Sequence, residues 1–209
     1  MRVTQIAEMP NSRYRVFFEN ETEIVLYKGE LRKYHLKENE EVQDAVYELL
    51  TQEVLPKRAK LRCMNLLQTK DYTEKQLADK LRQGGYSQSC IEEAIAYVKS
   101  YGYIDDERYA RSYVEYHLDT RSRKRIEMDL LKKGVAKETV REAFEALEDM
   151  GVRQDELTMI CQLLEKKKYS GRNATVQEKQ RIFGFLCRKG FRPDTIARAL
   201  SLDITPNSV

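Results

Sequence analysis

The side chains that most often do chemistry in proteins are few in this sequence, and they lie far apart. His35 and His117 are the only histidines, and neither has a second histidine or a cysteine at the spacing of zinc ligands. The four cysteines, at positions 63, 90, 161 and 187, are isolated, as small buried side chains in a reducing compartment usually are. No phosphate loop of the GxxxxGKS/T or GxGxxG type occurs. The sequence therefore predicts no catalytic centre, no metal and no cofactor.

One acidic cluster could serve as a set of metal ligands or as a general base. It consists of Asp105, Asp106 and Glu107. The same residues suit the start of a helix, because an aspartate caps the first turn and further acids there complement the helix dipole. We favour the helix start, and we assign His117 to a helix end. The chain is thus predicted to act by binding and not as an enzyme.

Basic residues concentrate around a predicted helix with the sequence SRKRIEMDLLKKG (122–134). The two lysines at its end are explained by the helix dipole, but the cations at its start are not, because they are electrostatically unfavourable there. An acidic partner would offset that cost. A run of three lysines at 166–168 is explained mostly as a helix end. The predicted contact surface combines this helix with the third repeat: Arg121, Arg123, Lys124, Arg125, Lys132, Lys133, Arg188, Lys189 and Arg192.

The net charge of +3 hides an asymmetry along the chain. The first 56 residues carry 7 Lys or Arg and 11 Asp or Glu, whereas residues 57–209 carry 30 and 23. The larger part can therefore meet a polyanion, and its basic stripe suits either phosphate backbones or an acidic protein surface. The short apolar runs and the polar N-terminus predict neither a membrane helix nor a secretory signal, so the cytoplasm is the expected location.

The first third of the chain has a different pattern from the rest. RYRVFF (13–18) and EIVLY (23–27) are rich in β-branched and aromatic residues and predict a β-hairpin with a polar turn. GELRKYHLKENEEV (29–42) is expected to form a short helix and a polar connection, and residues 40–55 have apolar side chains at helical spacing. Pro56 either ends this helix or begins the next one.

Three later stretches repeat one another without a gap. They are KQLADKLRQGGYSQSCIEEAI (75–95), KRIEMDLLKKGVAKETVREAF (124–144) and QRIFGFLCRKGFRPDTIARAL (180–200). Each has a possible cap in front, at Thr73, Ser122 or Thr175, and a glycine that ends its first helix. A further helix precedes each stretch, at roughly 57–69, 105–119 and 153–168. In the second repeat, we expect Tyr109, Ala110, Tyr113 and Tyr116 near one stripe and Ile126, Leu130 and Leu131 pointing inward.

The predicted fold class is mainly α: an elongated, solenoid-like tandem array of three three-helix repeats with a small N-terminal β-hairpin and helix region. The expected boundaries are 1–56 for the N-terminal region, 57–104, 105–152 and 153–202 for the repeats, and 203–209 for a flexible tail.

The middle of the chain resembles a known family. GYIDDERYARSYVEYHL (102–118), followed by RKRIEMDLLKKGV (123–135), is similar to the central signature of the RecX family of bacterial RecA regulatory proteins. The resemblance extends through the repeats from residue 57 to about 202. The matching residues are Gly102, Tyr103, Ile104, Asp105, Asp106, Tyr109 and Ala110, then Ile126, Leu130, Lys133 and Gly134.

The resemblance implies a regulator without enzymatic activity of its own. Such a protein binds the groove of the RecA–DNA filament, modulates and usually inhibits the ATPase, strand-exchange and coprotease activities of RecA, and serves DNA repair and the SOS response. It implies weak binding of single- or double-stranded DNA through the phosphate backbone, and we expect a monomer with no membrane partner. Two alternatives remain open: a stand-alone nucleic-acid-binding helical module, and a repeat scaffold that joins other proteins.

Overall fold

Helices dominate the structure, a computed structural model that describes residues 1–171 and 173–201. The chain divides into two compact units, an N-terminal unit of Met1–Asp105 and a C-terminal unit that begins at Asp106. The tail predicted at 203–209 lies outside the described residues. No helix in the described part of the chain is long and apolar enough to cross a membrane.

The N-terminal unit begins with a three-stranded antiparallel sheet in the order β1-β2-β3. The predicted hairpin is confirmed as β2 (Arg13–Phe18) and β3 (Glu23–Tyr27). The sequence reading missed β1 (Val3–Met9), which pairs with β2 from Val3↔Phe18 to Met9↔Arg13. Only Val3 is buried in β1, so this strand lacks the apolar alternation that would predict it.

A long helical segment links the sheet region to the first repeat. After the short predicted helix α1 (Lys28–Lys33), α2 (Asp44–Leu49), a π-helical turn (Leu50–Val54) and α3 (Leu55–Leu67) follow one another without a break. Pro56 lies in the first turn of α3, so it does not end the helical segment, contrary to the first alternative. Pro56 has no backbone N–H and cannot form the α-helical hydrogen bond to the carbonyl four residues earlier. The π-helical turn lies at the place where this hydrogen bond is missing.

The three predicted groups of three helices are present. The first contains α3, α4 (Glu74–Gln83) and α5 (Gln88–Ser100). The second contains α6 (Asp106–His117), α7 (Arg123–Lys133) and α8 (Lys137–Asp149). The third contains α9 (Glu156–Lys166), α10 (Val176–Arg188) and α11 (Pro193–Ser201).

All three predicted caps are confirmed at the starts of α4, α7 and α10. The hydroxyls of Thr73, Ser122 and Thr175 accept hydrogen bonds from the backbone N–H three residues later, at 3.2, 3.3 and 3.2 Å. Thr73 and Thr175 also form capping boxes, with Gln76 and Glu178. Local sequence therefore fixes where each of these helices begins.

Glycines end the same helices in the left-handed region, as predicted. Gly85, Gly134 and Gly190 have φ values of +81°, +96° and +91°. At Gly190 there is also no room for a side chain, because a Cβ would lie 2.6 Å from the Ser122 hydroxyl oxygen and 3.3 Å from the Arg125 nitrogen. This glycine therefore permits the third repeat to approach the start of α7 closely.

The apolar side chains form three separate cores. In the N-terminal unit, sheet residues such as Val16 and Leu26 share one core with Leu77 and Leu81 of the first repeat. The second repeat has its own core around Ile126, Leu130 and Phe144, and the third has another around Ile160, Leu186 and Ile196. The repeats of the C-terminal unit thus keep distinct interiors.

Three inward predictions are wrong. Leu131 is 44% exposed and Tyr116 is 80% exposed, because each lies about 100° around its helix from the buried stripe. Cys187 is exposed as well, whereas Cys63 and Cys90 are buried. Burial raises the pKa of the Cys63 thiol to about 11, which makes it an unreactive core residue.

Replacing Gly190 should destabilise the C-terminal unit more than replacing Gly151, although both glycines have a positive φ. A Cβ at Gly151 meets nothing within 4 Å, so Gly151→Ala should cost only the backbone strain, about 1–2 kcal/mol. Gly190→Ala adds a clash with the Ser122 hydroxyl and should cost about 1–3 kcal/mol more. Urea unfolding followed by circular dichroism measures both, and equal losses would show that the close approach is unimportant.

Candidate interaction surface

The predicted basic surface is organised around the N-terminal turn of α7. Ser122 is buried; besides capping this turn, it donates its hydroxyl hydrogen to the carbonyl of Lys189, 2.8 Å away. Gln154 donates from its side-chain amide to the carbonyls of Leu118 and Arg121, at 2.7 and 2.6 Å. The start of α7 is therefore fixed against the end of α10 and against the segment that leads into α9.

This arrangement brings cations of the second and third repeats to one cleft of about 520 Å³. Arg121 and Arg125 line the cleft from the start of α7, and Arg188 and Lys189 line it from the end of α10. Lys166, in the last turn of α9, lies there too. Sequence reasoning did not place Lys166 on the surface, because a lysine at a helix end is explained by the dipole alone.

Two of the arginines in the cleft share one carboxylate. Asp129, whose side chain is only 16% exposed, accepts from Arg121 Nη1 at 2.7 Å and from Arg125 Nε at 3.2 Å. Arg121 also donates to the Tyr113 hydroxyl at 2.8 Å. Each arginine is therefore oriented, and one of their two positive charges is compensated within the chain.

Arg123 is held against α8. Its guanidinium pairs with Glu148 at 2.6 Å and with Glu127 at 3.2 Å, and it lies over the Phe144 ring at 4.3 Å. Its backbone N–H donates to Glu156 at 2.9 Å. The acidic groups that offset cations at this helix start are thus supplied by the chain itself, where the sequence reading invoked an outside partner.

Some of the remaining predicted residues contact rings or carboxylates within the chain, and others do not. Lys133 is half-buried over the rings of Tyr109 and Tyr113. Lys189 lies over Phe185, and Arg192 pairs with Asp194 at 3.0 Å. Lys124, Lys132 and Arg188 are exposed and make no ion pair or hydrogen bond with any described residue.

Exposed apolar side chains accompany two of these unpaired cations. Lys124, Met128, Leu131 and Lys132 lie within about 100° of one another around α7. Met128 is 53% exposed and Leu131 is 44% exposed. We call these four residues the exposed face of α7. A small apolar centre flanked by cations is typical of a protein-contact surface, because phosphate backbones give no partner to apolar side chains.

His117 belongs to an aromatic edge of α6. Its ring stands against Tyr113, with centroids 4.4 Å apart, and against Tyr116 at 4.9 Å, while Tyr109 stacks on Tyr113. Burial and the nearby positive charges of Arg121 and Lys133 lower the pKa of His117, against the opposing effect of Asp129. A neutral imidazole packed on rings agrees with the structural role predicted for it.

The acidic cluster takes the helix-start position that we favoured. Asp106 is the first residue of α6 and Glu107 follows in its first turn, where acids complement the dipole. Across residues 1–171 and 173–201, no group of three or more His, Cys, Asp or Glu side chains is placed to hold a metal ion.

Comparison with known proteins agrees with this geometry. Models of the first, second and third three-helix domains of RecX match residues 59–97, 105–143 and 154–200. A regulatory protein RecX from Caldanaerobacter subterraneus subsp. tengcongensis is 35% identical over 204 residues, which cover 97% of this chain and 100% of the relative. The chain belongs to the RecX family.

Other RecX proteins extend the likeness. One from Clostridium perfringens is 30% identical over 81% of this chain and 77% of its own. A crystal structure of RecX from Lactobacillus salivarius matches with a TM-score of 0.57 at 25% identity, over 70% of this chain and 94% of that one. A second regulatory protein RecX matches in fold, with a TM-score of 0.60 at 19% identity, over 95% and 98%.

The RecX signature residues are mostly structural in this chain. Ile104, Ala110, Ile126 and Leu130 are buried. Gly102 has a φ of +67°, which suits the turn it occupies. The signature therefore specifies the fold, and the exposed contact residues have to be found from the structure.

His117 should make the stability of the C-terminal unit depend on pH. Because its pKa is lowered by folding, the unfolded state takes up the proton first, so the unfolding free energy should fall as the pH drops through about 6.5. Above that pH the effect is absent. His117→Gln should flatten this part of the profile, measured by urea unfolding between pH 8 and pH 5.5. An unchanged slope in the variant would contradict the assignment.

Proposed function

We propose that this RecX protein binds the RecA–DNA filament in the bacterial cytoplasm and lowers the ATPase, strand-exchange and coprotease activities of RecA. In this way it would regulate DNA repair and the SOS response. The observation that carries the proposal is the combination of an exposed apolar and basic face on α7 with a basic cleft beside the same helix. Binding by these surfaces needs no catalytic group.

The apolar part of the surface supports a protein partner. Met128 and Leu131 would be desolvated on binding, and burying about half of each side chain is worth on the order of 1 kcal/mol apiece. Lys124 and Lys132 flank them and would meet acidic side chains at the rim. If the protein bound only nucleic acid, phosphates would give no apolar contact to Met128 and Leu131.

The cleft supports a contact with phosphates in the same filament. Arg188 lines it without a partner in the described chain, and Asp129 compensates only one of the two positive charges of Arg121 and Arg125. Such cations attach to a phosphate backbone without reading bases, which suits a filament assembled on any sequence. DNA contact is therefore proposed as weak and salt-sensitive.

The predicted residues differ in the contacts that they make within the chain. Arg121, Arg123 and Arg125 are oriented by carboxylates and position the start of α7. Lys124, Lys132 and Arg188 make no ion pair with any described residue, and they are proposed as the contact residues. Tests should therefore use the second group, because changing the first would also disturb the fold.

A variant without the three unpaired cations should inhibit RecA less. We expect Lys124→Gln/Lys132→Gln/Arg188→Gln to need about tenfold more protein for half-inhibition of RecA ATP hydrolysis on single-stranded DNA, since three surface contacts are worth about 0.5 kcal/mol each. Lys137→Gln/Lys179→Gln/Arg198→Gln removes the same charge from other exposed positions of the C-terminal unit and should inhibit as the unaltered protein does. Equal weakening by both variants would refute the surface.

The apolar residues distinguish a filament partner from bare DNA. Met128→Gln/Leu131→Gln should weaken inhibition of RecA by about fivefold or more, because buried apolar area is lost. It should leave binding to naked DNA unchanged, measured by fluorescence anisotropy without RecA. If the protein affects RecA only at concentrations that coat naked DNA, the stand-alone nucleic-acid-binding module becomes the better description.

A further inference from the structure

A second basic site lies in the N-terminal unit (Met1–Asp105), although residues 1–56 of that unit carry more acidic than basic side chains. It is built around Arg58 of α3. This guanidinium donates to the Glu30 carboxylate at 2.6 Å, to the Tyr86 hydroxyl at 3.2 Å and to the carbonyl of Val25. One side chain thereby joins α1, β3 and the turn after α4.

The same guanidinium lies between two aromatic rings. Its central carbon is 5.1 Å from the centre of the Tyr27 ring and 5.2 Å from that of Tyr86. Because its charge is matched by Glu30 and its donors are engaged, Arg58 acts as a fixed floor and not as a ligand-binding group. Tyr27 is 47% exposed, so part of its ring is open to solvent at the rim.

Above this floor is a pocket of about 340 Å³, within the range of small-molecule sites. Three further cations line it: Arg13 from β2, Arg62 from α3 and Lys80 from α4. Among residues 1–171 and 173–201, no carboxylate lines it. Arg62 and Lys80 are exposed and have no ion pair or hydrogen bond in the described part of the chain, while Arg13 donates only to the Pro10 carbonyl, at 3.2 Å.

We infer that this pocket binds one segment of single-stranded nucleic acid, with a phosphate among Arg13, Arg62 and Lys80 and a base stacked on Tyr27. Cations that converge from three elements suit a phosphate oxygen cluster, and an open ring beside them suits the adjoining base. Both features together favour a nucleotide over a simple anion. Because the pocket lies wholly in the N-terminal unit, the inference does not depend on the RecA proposal.

Because the sequence contains no tryptophan, the fluorescence of one introduced tryptophan reports on this site alone. Tyr27→Trp keeps an aromatic ring over Arg58 and places the only indole at the rim of the pocket. Titration with an oligothymidylate should quench its fluorescence as a base stacks on it. The apparent affinity should fall with rising salt, with a logarithmic slope of about −0.7 for one neutralised phosphate.

Removing the unpaired cations tests the phosphate part of the site. In the Tyr27→Trp background, Arg62→Gln/Lys80→Gln should weaken the quenching titration by about tenfold or more and bring the salt slope close to zero. Lys57→Gln/Lys75→Gln removes the same charge from exposed positions on the same two helices, outside the pocket, and should change neither value appreciably. Far-UV circular dichroism of each variant verifies that the fold is retained.

Three outcomes of these titrations would contradict the proposal. Absence of quenching, or equal losses from the two double variants, would overturn the site. Complete displacement of the oligonucleotide by a free nucleoside monophosphate at the same nucleotide concentration would show a mononucleotide pocket and would overturn the assignment to a strand. Failure of RecA inhibition would leave this test unaffected, because RecA is absent from it.

Discussion

The buried hydroxyl of Ser122 is the contact on which the geometry of the C-terminal unit depends. It accepts from the N–H of Arg125 and donates to the carbonyl of Lys189, so a single oxygen both caps α7 and joins it to α10. Gly190 makes the approach possible because a side chain there would collide with that oxygen. Together with the Gln154 contacts, this junction sets the positions of Arg121 and Arg125 relative to Arg188 in the basic cleft.

The dense charge around the start of α7 is largely compensated by the chain itself. Asp129, Glu148 and Glu156 neutralise or bond the groups that would otherwise repel one another at a positive helix end. Arg121, Arg123 and Arg125 hold the start of α7 in place, whereas Lys124, Lys132 and Arg188 make no ion pair or hydrogen bond in the described part of the chain. A count of basic residues therefore overstates the charge that this surface can offer.

Local signals in the sequence predict much of this fold and less of the surface. Caps such as Thr73 and helix-ending glycines such as Gly85 depend on neighbours a few residues away, so the repeats could be read directly. The strand β1 depends on pairing with β2, and one partner of Arg123, Glu148, lies 25 residues along the chain. Such contacts exist only after folding. The exposed position of Leu131 was missed for a related reason, since an apolar residue next to a buried stripe is predicted to join it.

The shared core of the sheet and the first repeat makes the modularity of the chain uneven. Leu77 and Leu81 of α4 lie in the same cluster as Val16 and Leu26 of the sheet, whereas the second and third repeats each have an interior of their own. A duplication of α6–α8 could therefore add a unit that already contains its core. A duplicated α3–α5 would leave apolar surface uncovered unless the strands were copied with it. During evolution, new repeats in such a chain would arise more readily from the second and third than from the first.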